Sequence, residues 1–118
     1  MTAEDVPAAE AVARAALWDG HPGIADPVTV ARGLRRVAHL QRTDPRGAWV
    51  AEAGGEIAGM ALALLREGIW GLSLFGVAAA HRNRGIGRAL LDAAFAEHGA
   101  GARGHLILSS ESPAAMRR

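Results

Sequence analysis

The chain has 118 residues, half of them hydrophobic, with 13 basic and 12 acidic side chains and a formal net charge of +1. That length suits one domain with a real core, and the absence of cysteine excludes a disulfide framework, a catalytic thiolate and a cysteine-ligated zinc site. No apolar run approaches the roughly 20 residues of a helical membrane span, and the N-terminus lacks the basic and apolar regions of a signal peptide, so the cytoplasm is the default location.

In chain order, Thr2 followed by Asp5 reads as a helix N-cap, with Pro7 early enough to be tolerated, and the helix is expected to end near Trp18. Asp19-Gly20-His21-Pro22-Gly23 is dense in turn formers, after which Asp26-Pro27 opens a second helix that runs to about Gln41. Thr43 to Gly47 is a loop. Ala48 to Ala53 and Glu56 to Leu65 read as strands joined by the two-residue turn Gly54-Gly55, and Glu67-Gly68 turns into a third strand, Ile69 to Val77. A third helix leaves the glycine-rich stretch around Gly85 and reaches His98, with Ile86, Leu90, Leu91, Ala94 and Phe95 on one apolar face. His105 to Ser109 reads as a short buried strand, and Ser112-Pro113 opens a final helix.

The stretch Arg82-Asn83-Arg84-Gly85-Ile86-Gly87 therefore sits at a strand-to-helix junction. A helix start exposes N–H groups without intrahelical partners and carries partial positive charge, so it attracts anions. Gly85 and Gly87 lack side chains that would hold a diphosphate away from the main chain, and Arg82, Arg84 and Arg88 supply cations at the rim. The rival phosphate motifs fit less well. A dinucleotide fingerprint would need Gly or Ala where Leu90 stands, and a P-loop needs a lysine, which this chain lacks.

On these residues the chain resembles the GNAT superfamily of N-acetyltransferases, whose signature of Arg or Gln, two residues, Gly, one residue and Gly or Ala matches residues 82–87 throughout. The resemblance extends to Leu72-Ser73-Leu74-Phe75-Gly76-Val77 as the family's fourth strand and to Arg88-Ala89-Leu90-Leu91 as the start of its cofactor helix. It implies an α/β fold of acyl-CoA N-acyltransferase type over residues 1–118: a mixed, mainly antiparallel sheet with helices on both faces, incomplete at both termini. It also implies transfer of an acetyl group from acetyl-CoA to an amine. Residues Arg82, Asn83, Arg84, Gly85, Ile86, Gly87 and Arg88 would hold the pyrophosphate, and Phe75, Gly76 and Val77 would pair with the pantetheine arm. Gly76 inside a strand is expected to mark the bulge at which that strand splays from its neighbour.

The rest of the chemistry is sparse. In the family the last helix commonly opens with an asparagine and carries a tyrosine acid seven places later; here Ser112 holds the asparagine place and the chain has no tyrosine. Glu67, Glu111, Ser73, Ser109 and Ser110 lie at strand ends, and none has a signature that assigns it the base. The histidines His21, His39, His81, His98 and His105 show no metal-ligating spacing, and no metal is expected. His81 reads as a solvated loop residue, and Trp18, Trp49 and Trp70 as packing residues. All 13 basic residues are arginines, scattered along the sequence apart from the cluster at 82–88, which disfavours a nucleic-acid surface. The expected partners are a small-molecule or peptide amine and, through an open sheet edge, a second copy or a second domain, with no nucleic acid and no membrane. The alternative is a non-catalytic module that holds acyl-CoA or a partner chain without transferring anything.

Overall fold

In the computed structural model of the chain, residues 1–18, 26–96 and 99–107 are described. The centre of the fold is the second strand, β2 (Glu56–Arg66), which pairs antiparallel with β1 (Ala48–Ala53) on one side and with β3 (Ile69–Val77) on the other. A short β4 (Gly104–Ile107) adds parallel to β3, giving the order β1-β2-β3-β4 and a mixed sheet. Residues 58–63 of β2 are all buried because helices cover both faces of the strand.

The side-chain alternation of β2 sorts those two faces. Met60, Leu62 and Leu64 meet α1 (Val6–Trp18) and α2 (Pro27–Thr43), together with Ala9, Ala13, Val37 and Leu40. Ala61, Ala63 and Leu65 meet α3 (Ile86–Ala96), together with Trp70, Leu72, Leu90 and Ala94. The small residues on the second face let α3 lie close to the sheet. Trp70 seals its far end, donating its indole N–H to the Ala94 carbonyl at 3.2 Å and meeting Phe95 edge to face.

The helix and turn signals act as the sequence predicts. Asp5 accepts from the Thr2 amide at 2.8 Å, a short 3-10 turn over Ala3–Asp5 precedes α1, and Asp26 accepts from Val28 N–H above Pro27. Gly54 and Gly55 take φ of 60° and 81°, as a primed hairpin turn requires. Helix α2 runs two residues past Gln41, to Thr43, and the following loop tightens into a 3-10 turn over Pro45–Gly47. There Asp44 takes the Arg66 guanidinium in a two-pronged grip at 2.6 and 2.8 Å, pinning the end of β2.

Two expectations about the sheet are corrected. The bulge of β3 lies at Ser73, not at Gly76: Leu62 pairs with Leu74 and Ala63 with Leu72, leaving Ser73 as the extra residue, while Gly76 pairs in register with Met60. Gly76 is small for another reason, since a Cβ there would stand 3.2 Å from the Ala13 Cα and 3.0 Å from the Ala16 Cβ of α1. The second is β4, expected to be buried, whose Leu106 and Ile107 are 54% and 53% exposed on the sheet edge. The turn over residues 19–23, the last two residues expected in the third helix, the end of the last strand and the helix after Ser112 lie outside the described residues.

Candidate functional site

The bulge decides what β3 presents. Trp70 and Leu72 face α3, and simple alternation would turn Phe75 and Val77 away from it. The extra residue at 73 shifts the phase, so Phe75 and Val77 join the α3 face while Leu74 packs with α1 and α2. Arg36 of α2 fixes this defect, its guanidinium donating to the Ser73 carbonyl at 2.8 Å and to the Ser73 hydroxyl at 3.0 Å. Among the described residues β4 pairs with β3 from Ile69 to Leu72, short of the bulge.

From Val77 the chain passes through a 3-10 turn, Ala79–His81, into the junction. Arg82 is extended and folds back, its Nε donating to the Val77 carbonyl at 3.3 Å, which ties the loop to the end of β3. Asn83 and Gly85 then both take positive φ, 63° and 78°, on either side of Arg84. Asparagine and glycine are the residues that tolerate this region, and φ that changes sign along a short run of residues is the backbone signature of anion nests. The first main-chain bond of α3 runs from Ala89 N–H to the Gly85 carbonyl at 3.0 Å, so the helix does not consume the amides before it.

The two glycines differ. A Cβ on Gly85 would meet nothing within 4 Å, so this position is open to solvent and to a ligand. A Cβ on Gly87 would point into the protein, 3.2 Å from Phe75 Cζ and 3.5 Å from Val77 Cγ2, so its smallness serves the seating of α3 on β3. Arg82, Asn83, Arg84 and Arg88 are exposed around the open side. Arg88 shares its charge with Asp92 at 3.8 Å on the helix surface, a weak pair that a bound anion can displace. Among the described residues the Arg84 side chain has neither a hydrogen bond nor an ion pair.

The structure thus gathers Phe75, Gly76, Val77 and residues 82–88 at one end of the sheet. It separates Glu67 from them: that residue sits in the β2–β3 turn, about 30 Å along the strand from Val77. Ser73 is occupied by Arg36, while Glu111, Ser109 and Ser110 lie outside the described residues. His81 is not the solvated loop residue expected, since its Nδ1 is buried and has no hydrogen-bond partner among the described residues. Of the tryptophans, Trp70 is buried, whereas Trp18 and Trp49 are exposed. An open groove of about 440 Å³, lined by Asp44, Arg46, Leu65, Arg66 and Trp70 among others, lies at the opposite end of the sheet. Arg36 is the residue that reading the sequence missed, because nothing local links it to a serine 37 positions away.

Residues 44–116 match the acetyltransferase (GNAT) domain family. The chain belongs to that family. No curated protein sequence matches it, but solved structures share its fold. A ribosomal-protein-alanine N-acetyltransferase from Brucella melitensis superposes with a TM-score of 0.69 at 25% identity, over 99% of this chain and 76% of that one. A GNAT family acetyltransferase from the same organism, in complex with acetyl-CoA, gives 0.63 at 23% identity over 99% and 77%. A Pyrococcus horikoshii chain gives 0.70 at 18% identity; there this GNAT chain covers 86% of its own length and spans only 34% of the other.

Proposed function

We propose that this GNAT chain binds acetyl-CoA and transfers the acetyl group to an amine. The observation that carries the reading is the loop at the mouth of α3, where positive φ at Asn83 and Gly85 presents unconsumed amides beside open space. Amides of residues 83–88 hold the pyrophosphate, with Arg84 and Arg88 as mobile cations and Arg82 tethered to the end of β3. The end of β3 beyond the bulge, through Phe75, Gly76 and Val77, takes the pantetheine arm by main-chain hydrogen bonds. Bound there, acetyl-CoA supplies an activated thioester, and the amine must arrive neutral to attack it. The relative with acetyl-CoA in its structure supports this choice of ligand.

Replacing Gly85 by Asp tests the site directly. It puts a carboxylate where phosphate is expected to bind, at a positive φ that aspartate tolerates better than most side chains. Calorimetry is expected to show acetyl-CoA affinity lost by at least about 100-fold, while circular dichroism shows the fold kept; unchanged affinity in a folded variant refutes the reading. A second reading, a module that holds coenzyme A without turnover, is favoured by the remoteness of Glu67 and the engagement of Ser73. Release of free thiol on addition of a panel of amines separates the two.

A further inference from the structure

Helix α2 gathers charges that look scattered in the sequence. Arg32, Arg35, Arg36, His39 and Arg42 are all exposed, and at 100° per residue they fall within about a third of the helix circumference and along about 15 Å of its length. The helix contains no acidic residue at all. Arg32 faces Arg35 and Arg36 at three- and four-residue spacing, so these pairs on the helix surface are under mutual repulsion. Among the described residues Arg32, Arg35 and Arg42 have no ion pair to relieve it. A helix stabilised only by its own surface would interleave acids here.

The face also has a fixed neighbour. Arg36, in the middle of the stripe, donates to Ser73 at the bulge of β3, so the basic surface adjoins the strand that carries the thioester in the acetyl-transfer reading. We infer that the exposed face of α2 recognises the acceptor, and that this acceptor is an acidic peptide whose carboxylates lie on Arg32, Arg35 and Arg42 while its amine is delivered to β3. This rests on the acetyl-transfer reading for the partner's role as acceptor. Carboxylates fit paired guanidinium forks. A single-stranded nucleic acid fits less well, because α2 carries no Phe, Tyr or Trp on which bases could stack, and the chain as a whole has a net charge of only +1.

The test uses the full chain and two fluorescent peptides of equal length with free amino termini, one rich in glutamate and one rich in glutamine, with a labelled single-stranded RNA as the third probe. Anisotropy is expected to show tighter binding of the glutamate peptide, weakened as salt rises from about 50 to about 300 mM. The variant R32Q/R35Q/R42Q is expected to lose about tenfold in that binding and in kcat/KM for the same peptide, while its acetyl-CoA affinity and circular dichroism stay those of the wild type. Charge reversal, R32E/R35E/R42E, is expected to exchange the preference for a lysine-rich peptide. Equal binding of the two peptides, an unaffected triple variant, or RNA bound more tightly than the glutamate peptide would each overturn the inference. A wild-type chain that binds the glutamate peptide but not acetyl-CoA would instead refute the acetyl-transfer reading, and with it the partner's role as acceptor.

Discussion

At Gly85 and Gly87, two residues apart, a missing side chain does opposite work. Gly85 faces open space and holds a φ of 78°, whereas the vacant side of Gly87 is filled by Phe75 and Val77. Replacing Gly87 by Val is therefore expected to destabilise the protein by about 1–3 kcal/mol through overpacking of α3 against β3. Gly85→Ala is expected to cost only the backbone strain of about 1 kcal/mol, and urea unfolding of both variants measures the difference. A larger loss at Gly85 than at Gly87 would contradict this assignment. The sequence showed both glycines and their place at a helix start, because the flanking periodicities are local. Which one faces the sheet depends on how α3 lies on β3, and no local pattern encodes that.

Among the elements, β3 shows how a strand signal is read well in extent and misread in detail. Its bounds, Ile69–Val77, follow from composition and turn residues and agree with the structure. A glycine inside a strand points to a bulge at Gly76, yet the face turned to α3 changes phase between Leu72 and Phe75, the mark of one extra residue at 73. Gly76 answers instead to the approach of α1, a tertiary demand. At the other end of the sheet the Arg66 guanidinium beside Asp44 holds that carboxyl below its usual range, against the opposing effect of burial. A carboxylate with a lowered folded-state pKa adds stability above its unfolded value near pH 4 and loses it as pH falls through the folded value. Thermal midpoints between about pH 5 and about pH 2 are accordingly expected to fall more steeply in the wild type than in Asp44→Asn. Parallel slopes would show that this pair does not couple to folding.

For the whole molecule, the strand-to-helix junction is legible from local periodicity and a short motif, and the α/β class with both sheet faces covered follows from the family resemblance that the motif carries. The exposure of β4 and the gathering of arginines on α2 were not legible, since an edge position and a shared helix face emerge only when the elements are assembled. Assembly also gives the molecule a polarity: the junction and the end of β3 at one end, the Asp44–Arg66 clamp at the other, and a basic face that touches the bulge between them. The function follows only if the mouth of α3 holds a diphosphate. Titrating the isotope-labelled protein with coenzyme A and following amide resonances tests that claim most directly. The account predicts saturable shifts at Asn83, Arg84, Gly85, Gly87 and Arg88, with smaller shifts along Phe75 to Val77; shifts confined to the groove around Asp44 and Arg66, or none at all, would contradict it.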